Sequence, residues 1–135
     1  MSAVAEQIAR FRGRTFRPEM LVRRGLPLAL VRYVLDDAQT LIDLDDPATL
    51  ERERLRPSQV ATRHRAQTQA TARTLFDAHP AAVGLRWWST LEASWINVTL
   101  FAERVYEHLG PHTPTIVTQD VPAFAEACGA LGLTA

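Results

Sequence analysis

The chain has 135 residues, of which 47% are hydrophobic and 22% charged, and its formal net charge is zero; this is the composition of an ordinary soluble globular protein, which we expect to form one domain over residues 1–135. Zero net charge gives no overall attraction to nucleic acid or to an anionic membrane, and no apolar run approaches the roughly 18 residues of a membrane span. One cysteine excludes an internal disulfide, and with no signal-peptide pattern we expect a cytoplasmic protein.

The N-terminal segment predicts a short helix over residues 2–11. Val4, Ile8 and Phe11 fall on one face at helical spacing, and Ser2 is a candidate cap. We expect this face to be buried.

An arginine-rich loop and two strands follow. The loop, residues 10–24, is interpreted as either a solvated segment or a surface for phosphate or an acidic partner. Its basic residues are Arg10, Arg12, Arg14, Arg17, Arg23 and Arg24. Apolar, β-forming residues predict strands over 28–35 and 40–44, joined by a turn at Asp36 and Asp37.

The middle of the chain predicts two helices. Asp45-Asp46-Pro47 is typical of a helix start, with an aspartate cap and proline in the first turn. A second helix is predicted over residues 58–78, where Ala66, Ala70 and Phe76 are candidates for a buried face.

The C-terminal half predicts three strands and a last helix. The strands cover residues 83–88, 95–101 and 114–118, and Asp120 is a candidate cap for the helix. Its core face is predicted to contain Phe124, Ala127, Cys128 and Leu131, with Gly132 ending it. Without a regular βαβ repeat, these elements predict an α+β fold, a small mixed β-sheet flanked by helices.

Two common kinds of site are not expected. His64, His79, His108 and His112 lack the spacing of metal ligands on a shared helix face, so no metal site is predicted. No glycine-rich phosphate loop is present, and Cys128 is interpreted as a structural thiol in a helix.

Polar residues among aromatic ones mark the most informative region. Trp87, Trp88 and Trp95 lie close in sequence to Ser89 and Asn97. One interpretation is a turn serine and a satisfied core asparagine beside core tryptophans. The other is a cleft with an aromatic wall for a flat ring, in which the serine and asparagine bind hydroxyls and amides.

Glu6 also has two interpretations. It is either a solvated carboxylate paired with Arg10 at i,i+4, or an inward carboxylate that stabilises a developing positive charge.

The segments Gly84-Leu85-Arg86-Trp87-Trp88-Ser89 and Asn97-Val98-Thr99-Leu100-Phe101 resemble the C-terminal signature of the RES domain family. This resemblance makes Ser89 the family serine and Asn97 the family asparagine. The small-residue segment Ser2-Ala3-Val4-Ala5-Glu6 resembles the helix that carries the family glutamate, which makes Glu6 its equivalent.

The resemblance implies an ADP-ribosyltransferase-like RES fold and a toxin that cleaves NAD at the nicotinamide–ribose bond, with water or phosphate as acceptor. NAD is then a substrate, and no cofactor is implied. Glu6 and Ser89 are the implied catalytic residues, Asn97 supports the pocket, and of the two neighbouring tryptophans we nominate Trp88 to stack on a ring of NAD.

The implied partner is a cognate antitoxin protein, and a homo-oligomer is a further option. The family arginine precedes the glutamate by a few dozen residues, so we interpret the chain as N-terminally incomplete and expect weak or no activity from it. The alternatives are a non-catalytic α+β protein-interaction domain and a degenerate RES remnant.

Overall fold

The computed structural model describes residues 1–106, 109–110 and 112–133. These residues form a mixed α+β structure of short sheets and helices, which confirms the predicted class. The helices are α1 (Ser2–Ile8), α2 (Pro47–Arg52), α3 (Pro57–Val60), α4 (Arg65–Ala78), α5 (Ala102–Val105) and α6 (Pro122–Leu131). The strands are β1 (Val22–Arg23), β2 (Leu26–Pro27), β3 (Ala29–Leu30), β4 (Thr40–Asp43), β5 (Ala82–Trp88), β6 (Ile96–Leu100) and β7 (Thr115–Ile116).

Two compact units make up the chain. The first contains residues 1–33 and 111–135, and the second contains residues 34–110. Each has its own buried side chains and is described by itself. The prediction of one domain over 1–135 stays a prediction.

In the first unit, α1 packs on α6, and the apolar face predicted for α1 is largely buried. Val4 and Ile8 are almost fully covered. The rings of Phe16 and Phe124 meet edge to face, with centroids 4.8 Å apart. Two short antiparallel pairs, β1 with β2 and β3 with β7, complete this unit.

Three predictions for this unit are wrong in detail. The strand predicted over residues 28–35 shrinks to β3, which pairs with the two residues of β7. Leu28 also forms backbone hydrogen bonds with Leu21 and Val117, but residues 31–35 are not part of a ladder. Ser2 is already the first helical residue, with Met1 before it, and does not cap α1. Asp120 does not cap α6, because Val121 holds the cap position before Pro122.

The end of α6 agrees with the sequence. Gly132 adopts a left-handed conformation, with φ of 63°. Glycine meets no steric penalty there, which explains why the helix stops at this residue. The predicted face is buried at Phe124, Ala127 and Leu131, whereas Cys128 is only partly covered.

The second unit is built on the predicted mixed sheet. Its strand order is β4-β5-β6, with β4 parallel and β6 antiparallel to the central β5. The buried residues packed around this sheet and its helices are Ile42, Leu44, Leu50, Val60, Leu75, Ala82, Leu85 and Phe101. The predictions for β4, β5 and β6 are confirmed to within about one residue at each end.

In the second unit the predicted helix starts are confirmed, but the predicted length of the second helix is wrong. Asp46 caps α2 by accepting hydrogen bonds from the N–H groups of Ala48 and Thr49, as predicted. The helix predicted over residues 58–78 is divided into α3 and α4. Thr62 Oγ1 accepts a hydrogen bond from the His64 N–H, a local bond that competes with helical hydrogen bonding.

The face predicted to be buried on this helix is wrong for two of its three residues. Ala66 and Ala70 are exposed, whereas Phe76 is half-buried and Leu75 is 3% exposed. All three residues lie on α4, whose inward side carries Ala72, Leu75 and Phe76, so Ala66 and Ala70 fall on its outward side.

Candidate functional site

Ser89 lies one residue beyond β5, in the connection to β6. Its side chain is buried, with 2% of the residue exposed. The Ser89 N–H donates to the carbonyl oxygen of Trp95 over 2.8 Å, and its Oγ accepts from the Leu91 N–H over 3.0 Å. The serine therefore holds the β5–β6 connection in place, as the turn-serine interpretation expects, in a water-poor position at the end of the sheet.

Asn97 lies next to Ser89 on the neighbouring strand. The register pairs Asn97 with Trp87, and the backbone hydrogen bond from Ser89 to Trp95 extends the ladder by one more pair. Ser89 and Asn97 thus hold diagonal positions of the antiparallel ladder, which are typically about 7–8 Å apart. The two residues of the RES-like motif come together across β5 and β6.

The two adjacent tryptophans lie on opposite faces of β5, because side chains alternate along a strand. Trp87 shares its face with Asn97 and Thr99 of β6, whereas Trp88 pairs with Ile96. Both are half-buried and pack against the core of the second unit. Trp88, the residue nominated for stacking, is therefore on the face away from Asn97.

A pocket of about 210 Å³ opens between α3, α4 and the face of the sheet that carries Trp87. The indole of Trp87 and the apolar side chains of Leu44, Val60, Ala72 and Leu85 supply most of its surface. Its polar lining consists of four threonines and two glutamines, namely Thr62, Thr68, Thr71, Thr99, Gln59 and Gln69. The pocket is lined by Trp87 and not by Trp88.

The aromatic wall of this pocket is held by a hydrogen bond. Trp87 Nε1 donates to Thr99 Oγ1 over 3.1 Å, from one strand to the next. The bond satisfies the only polar group of the indole, which fixes the plane of the ring.

Charged groups near the sheet lie on the other face. Arg86 donates to both carboxylate oxygens of Asp43 at 2.8 and 2.7 Å, and Asp45 lies 3.4 Å away. These hydrogen bonds, chiefly the one to Asp43, raise the pKa of Arg86. Arg86 therefore links β5 to the end of β4.

Glu6 belongs to α1 in the first unit and is half-buried. Its neighbours Val4, Ala5 and Ile8 are fully buried, so the carboxylate lies at the edge of the apolar face of α1. Arg10 places its guanidinium over the ring of Phe11, with 4.7 Å from Cζ to the centroid. The two interpretations of Glu6 both stay open.

Two interactions were missed in the sequence because their partners are far apart in the chain. His79 Nε2 lies 3.0 Å from Glu53 Oε2, and this hydrogen bond lowers the pKa of Glu53. Arg104 donates to the carbonyl oxygens of Phe76, His79 and Ala82. The separations of 22 to 28 residues leave no local pattern to detect.

Neither a metal centre nor an activated thiol is found in the part of the chain that the structure describes. No three histidine, cysteine or acidic side chains are grouped so as to hold a metal ion among these residues, and His108 lies outside them. Burial raises the pKa of the Cys128 thiol, which disfavours the reactive thiolate.

No helix among the described residues has the length and apolar character needed to cross a membrane. No protein-family model matches the chain, and neither does any curated protein or solved structure. The RES assignment therefore stays a prediction from the sequence motifs.

Proposed function

We propose that this chain is a RES-type domain that degrades NAD by cleaving the nicotinamide–ribose bond. The observation that carries the proposal is the diagonal placement of Ser89 and Asn97 across β5 and β6. These two residues are separated by seven others in the sequence, and only the antiparallel register makes them neighbours. A pocket with a tryptophan wall lies on the same sheet face, but neither Ser89 nor Asn97 lines it.

The proposed reaction needs little covalent chemistry from the protein. The bond from the ribose carbon to the pyridinium nitrogen breaks, and the nicotinamide leaves with both electrons as a neutral molecule. Water or phosphate then bonds to the ribose carbon, and water loses a proton in this step. Catalysis consists of orienting the substrate and stabilising the oxocarbenium-like transition state.

The proposed roles are those that the resemblance implies. Ser89, the family serine of the resemblance, is proposed to orient the ribose or nicotinamide by a hydrogen bond. Asn97 is proposed to support the same end of the sheet. The charge-stabilising role of Glu6 rests on the sequence resemblance alone.

The test is an NAD-consumption assay on the purified chain, in buffers with and without phosphate. Ser89→Ala is expected to abolish turnover, and Glu6→Gln and Asn97→Ala to reduce it. Ser94→Ala is the matched control, because Ser94 lies on the same β5–β6 connection but is exposed. Thermal melts show whether Ser89→Ala, which loses the Leu91 hydrogen bond, remains folded. Turnover by folded Ser89→Ala equal to that of wild type contradicts the proposed role of Ser89. No turnover by wild type in either buffer contradicts NAD cleavage by these 135 residues.

A protein-interaction domain is the second candidate, and the edge of the sheet favours it. Strand β6 lies at one edge, and its Val98 is 51% exposed. Exposed edge strands are ready to pair with a strand from another chain. For the toxin hypothesis, the proposed partner is a cognate antitoxin. If the Val98→Lys variant binds such a protein as strongly as the wild type does, this edge is not the interface.

A further inference from the structure

We propose that the pocket between α3, α4 and the sheet binds a small, uncharged, planar ring that carries an amide or amino group. This site is separate from the Ser89 position, and the inference does not depend on NAD cleavage. Three features of the lining support it. The aromatic wall is fixed, the lining residues carry no charge, and two threonine hydroxyls each already make one hydrogen bond within the protein.

The fixed wall favours a flat ligand. Trp87 is held by its hydrogen bond to Thr99 and by packing against the core, so its ring is already oriented before a ligand arrives. A planar ring gains from stacking on an indole, and a wall that is already ordered loses little entropy on binding. On the α4 side the small side chain of Ala72 lines the pocket, which leaves space for a ring.

The lining selects against charge. None of the residues that line the pocket is Arg, Asp, Glu or His, although the chain contains fifteen arginines. A carboxylate or phosphate placed among Leu44, Val60 and Leu85 loses hydration and gains no opposite charge. The pocket therefore takes a neutral group.

The threonines favour a ligand with both donors and acceptors. Thr68 Oγ1 donates to the Arg65 carbonyl, so its oxygen accepts from a ligand. Thr62 Oγ1 accepts from the His64 N–H, so its hydroxyl hydrogen donates to a ligand. A carboxamide, with one carbonyl and one NH₂, matches this combination.

The experiment uses three probes of similar size on the whole chain. Benzamide is planar and neutral, benzoate is planar and charged, and cyclohexanecarboxamide is neutral but not planar. Binding is measured by ligand-observed NMR titration. Benzamide is expected to bind, with benzoate at least ~10-fold weaker because of its desolvation. Equal binding of benzoate, equal binding of cyclohexanecarboxamide, or no binding of benzamide overturns the proposal.

A filling variant locates the site. Ala72→Leu places a larger side chain in the pocket and is expected to abolish benzamide binding. Ala66→Leu is the matched control, because Ala66 is on the same helix but exposed. Thermal melts confirm that both variants are folded; should Ala72→Leu not fold, Thr99→Val replaces it, since it removes the bond that orients Trp87. Benzamide binding that survives in the folded variant overturns the proposed location. NAD turnover is not a readout here, so failure of one proposal does not imply failure of the other.

Discussion

The guanidinium of Arg104 lies over the ring of Phe76, with 3.8 Å from Cζ to the ring centroid. The same group donates to the carbonyl oxygens of Phe76, His79 and Ala82 at 2.6 to 2.7 Å. The last carbonyls of a helix have no partner within the helix, so this arginine closes the C-terminal end of α4 and joins it to β5. It is both a cation on an aromatic ring and a helix cap.

Replacement of Arg104 is expected to destabilise the second unit. Arg104→Ala removes three charge-assisted hydrogen bonds and the contact with Phe76, and we expect a loss of about 2–4 kcal/mol in the free energy of unfolding. Arg104→Lys is expected to recover only part of it, because an ammonium lacks the planar fork. Chemical denaturation measures both. Arg73→Ala, at an exposed ion pair with Asp77, is the control and is expected to cost less than about 1 kcal/mol.

The hydrogen bond between His79 and Glu53 predicts a dependence of stability on pH. The pKa of Glu53 is lowered from its ordinary value of 4.5, so its contribution is complete above that value and is lost as the pH falls through the lower, folded-state pKa. Glu53→Gln removes the titrating group. Unfolding measured between about pH 3 and 7 is expected to show a smaller loss of stability on acidification in this variant.

Glu51→Gln is the control for that measurement, because Glu51 is an exposed carboxylate in the last turn of α2, two residues before Glu53. An identical pH profile for wild type and Glu53→Gln contradicts the assignment.

The backbone at Gly84 leaves no space for a side chain. A Cβ placed there meets the Thr99 carbonyl oxygen closer than real Cβ atoms come, and also contacts Leu41 and Leu100. Gly84→Ala is therefore expected to lower the free energy of unfolding by roughly 1–3 kcal/mol or to prevent folding. Gly129→Ala is the opposite control: a Cβ meets nothing there, and alanine in helix α6 is expected to stabilise by about 0.5–1 kcal/mol. Thermal melts distinguish the loss of stability expected for Gly84→Ala from the gain expected for Gly129→Ala.

The cap of α2 gives a fourth prediction. Asp46 accepts hydrogen bonds from the Thr49 hydroxyl and N–H and from the Ala48 N–H, and these lower its pKa. Asp46→Ala is expected to lower the melting temperature at neutral pH. Asp46→Asn is expected to lower it much less, since asparagine also caps helices. The contribution of the wild-type cap is complete above the ordinary pKa of 3.8 and is lost as the pH falls through the lower, folded-state pKa of Asp46. A melting temperature unchanged by Asp46→Ala is the contrary result.

The sequence predicted the second unit better than the first, and the reason is the number of strand neighbours. Residues 82–88 form a central strand with partners on both sides, so their apolar pattern and their structure agree. Residues 28–35 have an equally apolar pattern, but residues 31–35 have no strand beside them in a ladder. A propensity to form strands has no effect where no neighbouring strand completes the hydrogen bonds.

The candidate site was predictable only in part. Ser89 and Asn97 were chosen from sequence motifs, and the register of β5 and β6 places them at diagonal positions. The pocket itself could not be predicted, because its helical wall depends on the break between α3 and α4. Trp87 and Trp88 looked equivalent in sequence, and only the register assigns Trp87 to the pocket face.

The order of strands also has a consequence for how the second unit folds. The β5–β6 pair is a local hairpin, with seven residues between the strands, and it can form early. In the parallel β4–β5 pair the two strands are separated in sequence by α2, α3 and α4, and this whole segment must be closed before the first hydrogen bond between them forms. Closing that longer segment costs more entropy than closing the hairpin, so we expect β4 to join last and to set the folding rate.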